Sequence, residues 1–423
     1  MVRVSGPQTE AVLAAVCRLT PAELPERRAR LAPLIHDGRV IDHGLVTRFV
    51  GPRSYTGEHA AELCCHGNPL LVEQLIAACV AVGARVAHPG EFTRRAFLAG
   101  RIDLARAEAV LQTIEATSPR GLAVAQQGLD GAVGSLVDGL RADLTEALSE
   151  LEARLDYPAE GLELEDDRAL AARVVAVGER AAAAAATWQA GRVLVEGATV
   201  ALVGPVNAGK SSLFNALGGS VRALVSDTPG TTRDVVERRV RLGSVSIRLL
   251  DTAGEREADG LEAAGIELGR SLTADADLLV VVVPSHDPDR ARPLLERLDG
   301  PHLLVGNHAD RPGARTSLAG RPLLPTVATT GEGLDALAAA IAEALVGEEL
   351  GSGLVIASLR QRDLLGAVAR ACTASASALQ GEPGPAVAAE ELYGALARLD
   401  ALIGRDTREA VLDSLFRRFC IGK

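Results

Sequence analysis

One octapeptide constrains this chain more than any other feature: Gly204-Pro205-Val206-Asn207-Ala208-Gly209-Lys210-Ser211. It fits G-x-x-x-x-G-K-[ST] and stands between the apolar run Thr199-Val200-Ala201-Leu202-Val203 and a helical stretch over residues 212–217. A strand that ends in such a loop and resumes as a helix turns its backbone N–H groups inward, where they cradle phosphates. Lys210 would neutralise the β- and γ-phosphate oxygens, and the Ser211 hydroxyl would ligate Mg²⁺. Of the 44 basic residues only two, Lys210 and Lys423, are lysines. A chain that otherwise uses arginine keeps the compact ammonium where a point charge matters.

Further segments follow in an order that completes a nucleotide site. Asp251-Thr252-Ala253-Gly254 ends an apolar run. An Asp there can hold Mg²⁺ through water, and the glycine N–H can sense the γ-phosphate. Gly230-Thr231-Thr232-Arg233-Asp234 lies where a segment closes over the γ-phosphate, with Thr232 as the second Mg²⁺ ligand. Asn307-His308-Ala309-Asp310 follows another apolar run. Asp310 can accept hydrogen bonds from guanine N1–H and the 2-amino group, which adenine does not offer, so the site selects GTP over ATP. The Ala328 N–H can reach guanine O6. His308 replaces the usual lysine and Val327 the usual serine, which predicts weaker binding with specificity kept.

Bulk properties narrow the class. The 423 residues, 48% hydrophobic, are enough for two or three cores. No apolar run approaches the roughly 18–20 residues a bilayer span needs. The first residues carry no basic-then-apolar export pattern, and six scattered cysteines show no metal-ligand pairing, so the expected location is the cytoplasm. A net charge of −11 and only 2% aromatics exclude a surface that coats nucleic acid or stacks bases broadly. RNA contact would be local or shared with a partner.

Periodicity divides the chain. Residues 1–100 mix short β-like runs, at 44–50 and 84–87, with a helix over 70–82. From residue 102 apolar residues recur at three- and four-residue spacing, as in Leu104, Ala107, Val110, Leu111 and Ile114. From residue 197 strands and helices alternate, with strands expected at 235–242, 245–250, 278–283, 303–305 and 323–327. Helical spacing returns after residue 353. The expected fold is multi-domain α/β. A P-loop (Ras-like) GTPase domain, 197–346, is inserted in an all-α helical domain, 101–196 and 347–423, preceded by an α+β N-terminal domain, 1–100.

Other segments carry a family signature. They include Ser54-Tyr55-Thr56-Gly57-Glu58, Glu62-Leu63-Cys64-Cys65-His66-Gly67, Pro89-Gly90-Glu91-Phe92-Thr93 and Asp103-Leu104-Ala105-Arg106-Ala107-Glu108-Ala109. The most specific is the terminal Phe419-Cys420-Ile421-Gly422-Lys423. With the nucleotide motifs, these make the chain resemble the tRNA modification GTPase MnmE (TrmE) family over nearly its full length.

That resemblance implies a GTPase activated when two G domains meet across a bound K⁺. Asn207, Ser226, Thr228 and Thr231 match its ligands, and Glu262 matches the residue that orients the attacking water, one residue nearer Asp251 than the family spacing. Lys210 and Glu262 are thus the expected catalytic pair. GTP contacts are expected from Asn207, Ala208, Gly209, Lys210, Ser211, Ser212, Ser226, Thr231, Thr232, Asp251, Thr252, Ala253, Gly254, Asn307, Asp310 and Ala328. The family's N-terminal module dimerises and binds a one-carbon folate of the 5-formyl-tetrahydrofolate type. Arg3, Glu62, Arg101 and Lys423 match its folate contacts, Arg101 standing where lysine is usual. The implied partners are a second copy, tRNA and the FAD-dependent tRNA-modification protein MnmG, without a membrane. The implied product is an aminomethyl or carboxymethylaminomethyl group at C5 of the wobble uridine.

Against the family pattern the chain starts about twenty residues late, by comparison with usual domain lengths. Either the start codon is misassigned or the N-terminal sheet lacks its first strand, leaving an open edge that threatens dimerisation and folate binding. Cys420 has no base beside it in sequence, so a structural role competes with a nucleophilic one. Two other functions stay open: a ribosome-assembly GTPase switch, and a degenerate nucleotide-binding scaffold.

Overall fold

Alternation of apolar and polar side chains shapes the first 64 residues. In the computed structural model, β1 (Val2–Ser5), β2 (Arg30–His36), β3 (Arg39–Phe49) and β4 (Ala60–Cys64) form an antiparallel sheet in the order β1-β4-β3-β2. The structure describes residues 1–156, 166–220, 236–251, 276–298, 300–347, 353–381, 383–405 and 407–422. One face of this sheet carries Leu34, Val46, Ala61 and Leu63, all buried, under α1 (Thr9–Cys17) and α2 (Pro69–Ala81). On the opposite face Leu31 pairs with Leu45, and both are exposed, as the two-residue period of a strand requires. Asn68 caps α2 by accepting a 2.9 Å hydrogen bond from the Leu70 N–H, and Pro69 occupies the first turn, where a missing N–H does no harm.

Residues 84–87 correct the sequence reading: they form no strand. Their apolar composition serves a cavity wall instead, since Ala84, Val86 and Ala87 line it. Among the described residues β1 pairs only with β4.

The chain builds two compact units, residues 1–111 with 134–138 and 396–423, and residues 112–133 with 139–395. In the first, α3 (Glu91–Leu98) and α4 (Leu104–Glu115) follow the sheet, and the C-terminal helix Glu409–Phe416 joins them. Leu104, Ala107 and Leu111 pack with Leu412, Phe416 and Phe419 in one cluster. The Pro89-Gly90-Glu91 turn makes that docking possible. Gly90 has φ +68, and a Cβ there would meet the Phe416 carbonyl at 2.8 Å. Its N–H donates to the Cys420 carbonyl at 3.4 Å, and Pro89 bridges Ile421. The Cys420 main chain therefore has a structural use, while its side chain is exposed.

The second unit holds helices α5 (Pro119–Leu129), α6 (Ala132–Asp156, from residue 139), α7 (Asp167–Ala186) and α8 (Trp188–Glu196). Its sheet comprises β5 (Ala198–Val203), β6 (Val236–Leu242), β7 (Val245–Asp251), β8 (Leu278–Pro284), β9 (His302–Asn307) and β12 (Leu324–Thr326), with α9 (Lys210–Ser220) after β5. A short α10 (Arg292–Leu295) and the small hairpin of β10 (Ser317–Leu318) and β11 (Arg321–Pro322) intervene. Then come α11 (Leu334–Val346), α12 (Leu359–Leu379) and α13 (Pro385–Ile403, to residue 395). Gly178 of α7 faces α12 so closely that a Cβ would come 2.8 Å from Cys372 Cβ.

The sheet order is β12-β9-β8-β5-β7-β6, parallel except for β6. Both faces are covered, which explains the unbroken apolar run of β8, buried at every position. Val200 and Leu202 of β5 enter one core, Ala201 and Val203 the other. β5 lies where strand order reverses, with β8 on one side and β7 on the other. In open α/β sheets a crevice forms beyond the carboxyl ends of strands at such a reversal.

Candidate guanine-nucleotide site

Among the described residues, the 204–211 loop, Asp251 and the Asn307–Asp310 segment stand at the ends of β5, β7 and β9. Residues 204–209 leave the end of β5 and α9 begins at Lys210. Backbone shape dictates the glycines. Gly204 has φ +152, and a Cβ there would lie 2.1 Å from the Val282 carbonyl of β8. Gly209 has φ +85, and a Cβ would strike Asn307 Nδ2 at 2.2 Å. Asn207, with φ +62, is exposed at the bend, a conformation Asn tolerates better than most residues.

Lys210 is partly buried, and its ammonium donates to the carbonyls of Gly204 at 2.9 Å and Pro205 at 3.1 Å. It thus arches over the loop whose amides would hold phosphate. Burial pulls its pKa below the usual lysine value, and Asp251 opposes that pull. Asp251 ends β7 in register with Leu202 and is buried at 4% exposure. Ser211 and Ser212, in the first turn of α9, are exposed.

The base-recognition segment is anchored through one side chain. Asn307 ends β9 beside Thr326 of β12 and Pro284 of β8, with 0% exposure. Its Nδ2 donates to the Ala208 carbonyl of the phosphate loop at 3.0 Å, and its Oδ1 accepts from the Ala328 N–H at 3.2 Å. One amide therefore ties three loops at the ends of three strands. Asp310 is exposed three residues on, its carboxylate open to a base.

His308 lies between them with φ +58. Its Nε2 comes within 3.3 Å of the Cβ position of Gly209, and its ring centroid is 6.1 Å from that of His286. The sequence offered no sign of the His286 contact, because it follows from the pairing of β8 with β9. The sequence raised Asn307 as an expected nucleotide contact and gave no sign of the tie between loops, which is what the structure shows.

Thr252, Ala253, Gly254, Ser226, Thr228, Thr231, Thr232, Glu262 and Lys423 lie outside the described residues. The described donor set suits the expected ions. The Ser211 hydroxyl and the Asp251 carboxylate are hard oxygen donors of the kind Mg²⁺ takes, and Asn207 presents an amide oxygen at the loop bend.

In the N-terminal unit Arg3 and Glu62 face each other across β1 and β4, joined by hydrogen bonds of 3.1 and 2.7 Å to Glu62 Oε1. The Arg3 guanidinium also lies over the rings of Tyr55 at 5.7 Å and Phe92 at 5.6 Å. Arg3 borders a cavity of about 470 Å³ walled by Val4, Ile76, Val86 and Phe92, with Arg85 and Arg95 at its margin. Arg101 is exposed beside Gly57, and neither it nor Glu62 lines that cavity.

The chain is similar to known proteins along its length. Family descriptions match as "MnmE helical domain" over residues 104–420 and "GTP-binding protein TrmE N-terminus" over residues 1–101. The tRNA modification GTPase MnmE of Akkermansia muciniphila is 39% identical over 435 residues, covering all of this chain and 95% of that protein. That of Chloroflexus aurantiacus is 38% identical over 438 residues, covering all of this chain and 96% of that protein. Among solved structures, the G domain of the T. maritima FeoB iron transporter is 29% identical, with a TM-score of 0.28, covering 35% of this chain and 98% of its own. No helix among the described residues is long and apolar enough to cross a membrane. With family descriptions spanning both ends of the chain and relatives of this similarity along its whole length, the chain belongs to the tRNA modification GTPase MnmE family, whose members hydrolyse GTP.

Proposed function

We propose that this chain is a potassium-activated GTPase that, with the FAD-dependent protein MnmG, modifies C5 of the wobble uridine of certain tRNAs. The observation that carries the GTPase part is the Asn307 tie, which holds the phosphate loop and the base-recognition segment in one frame at the switch point of the sheet. Its residues divide the work. Backbone amides of residues 207–211 hold the phosphates, Lys210 offsets charge on the β/γ oxygens, and Asp310 receives the guanine edge. Ser211 and Thr232 would hold Mg²⁺. Asn207, Ser226, Thr228 and Thr231 would hold K⁺, which supplies positive charge at the β/γ bridge. Glu262 would orient the attacking water.

The rest of the reading follows the family. Residues 197–346 act as the G domain, residues 101–196 and 347–423 as the helical domain, and residues 1–100 as the module that dimerises and binds a 5-formyl-tetrahydrofolate-type donor through Arg3, Glu62, Arg101 and Lys423. The cavity beside Arg3 supports a small-molecule role, since its volume falls in the range of ligand pockets. The compartment is the cytoplasm, where its tRNA substrates are.

The test is GTP hydrolysis by the full chain in potassium and in sodium, with Asn207→Ala as comparator. Faster turnover in potassium, lost in the variant, is expected; equal rates in both salts would remove the ion from the account. Calorimetry with 5-formyl-tetrahydrofolate should give a binding isotherm that Arg3→Ala weakens, and a flat trace from wild-type protein would end the folate assignment.

A further inference from the structure

Within the GTPase reading, on which this inference rests, one residue of the base-recognition segment has no assigned task. His308 stands in the left-handed region between the buried tie Asn307 and the guanine acceptor Asp310. Its Nε2 edge lies against Gly209, whose missing side chain leaves the room: a Cβ there would sit 3.3 Å from Nε2. The imidazole therefore covers the phosphate loop at the position just before Lys210. Its other nitrogen, Nδ1, is shut off from water and has no hydrogen-bond partner among the described residues.

The surroundings decide which form of the ring fits. A neutral imidazole with its proton on Nε2 leaves at Nδ1 a bare acceptor, whereas an imidazolium would place a charged N–H there with nothing to receive it. From its own loop His308 faces Arg311 and Asp310, and from the loop after β8 it faces His286. From the phosphate loop it meets uncharged Gly209, with Lys210 next in sequence. Burial, Arg311 and His286 all favour the neutral ring, and Asp310 alone favours the charged one. Guanine would engage Asp310 through N1–H and the 2-amino group, drawing on the single anion that supports protonation.

We propose that His308 is a positioning residue that holds the phosphate loop against the base-recognition segment as a neutral imidazole, so that protonating it loosens guanine nucleotide. The sign follows from linkage. If the nucleotide complex prefers the neutral ring more strongly than the free protein does, binding must expel a proton once pH falls through the free-state pKa. Affinity then declines toward acid. A preference greater by one pKa unit corresponds to about a tenfold loss.

The experiment measures the Kd of GDP for the full chain from pH 8 to pH 5.5 in wild-type, His308→Gln and His308→Lys proteins. Melting temperatures confirm that each variant is folded. Protonation of GDP itself is common to all three and cancels. Wild-type affinity should fall about three- to tenfold more over this range than that of His308→Gln, and His308→Lys, with a fixed cation on a flexible stem, should track His308→Gln. Parallel profiles for wild-type and His308→Gln, or a wild-type profile that strengthens toward acid, would overturn the assignment while leaving the GTPase reading intact. Failure of wild-type protein to bind GDP at any pH would overturn both.

Discussion

Replacing Asn307 with alanine probes the joint on which the nucleotide site depends. The substitution removes two hydrogen bonds, to the Ala208 carbonyl at 3.0 Å and from the Ala328 N–H at 3.2 Å. Asn307 and Ala208 both have 0% exposure, so water has no ready route to the abandoned Ala208 carbonyl. A buried polar group stripped of its partner costs about 1–3 kcal/mol, and the half-exposed Ala328 N–H falls near the low end of that range. The sum is about 2–4 kcal/mol, shared between stability of the fold and order of the loops that meet the ligand. If half falls on binding, the Kd of GDP rises on the order of 5- to 30-fold. Equilibrium titration with a fluorescent GDP analogue measures the binding share, and thermal melting without nucleotide measures the remainder. Asn307→Asp is a useful companion, because it keeps an acceptor for Ala328 and loses the donor to Ala208. An alanine variant whose Kd stays within threefold of wild-type, with an unchanged melting temperature, would refute the claim that this amide joins the loops.

Two further outcomes follow from geometry and charge. Gly204→Ala combines φ +152 with a Cβ placed 2.1 Å from the Val282 carbonyl, which should destabilise the G domain by about 3 kcal/mol or more. Gly219→Ala, near the end of α9 with nothing within 4 Å of its Cβ position, should be neutral or stabilising by up to about 1 kcal/mol; equal melting temperatures for the two would show the loop to be less constrained than described. Glu91 accepts from Arg85, the His88 N–H and Arg95, with the Arg85 bond the largest influence, and its pKa is held down to about 2 from an ordinary 4.5. A depressed carboxylate stabilises the fold above its unfolded pKa, so the contribution, on the order of 1–3 kcal/mol, should vanish between about pH 4.5 and pH 2. Urea unfolding of wild-type and Glu91→Gln should converge across that window, and a constant gap down to pH 2 would contradict the assignment.

Much of the site was readable because short-range chemistry sets it. A strand, a glycine-bearing loop and a lysine at fixed spacing form the pattern expected to surround phosphate, and the strand, loop and helix over residues 198–220 were legible without coordinates. The same holds for the helical spacing of Leu104, Ala107 and Leu111, which became a buried face, and for the all-apolar β8, which demanded cover on both sides. Residues 84–87 misled because a short stretch with a β-prone residue such as Val86 specifies no hydrogen-bond partner; with no strand beside them they became a cavity wall.

What the amino-acid order determined, then, was chemistry held within a few residues: the glycine-bearing loop before α9, the proposal of Asp310 as guanine acceptor and the periods of helix and strand. What tertiary structure alone decided was which distant groups meet. Asn307 reaches Ala208 across 99 positions, Arg3 finds Glu62 across 59, and His308 comes to rest on Gly209 beside His286. Those meetings depend on strand order and register, which arise from burying both faces of one sheet at once and are written in no single stretch of the chain.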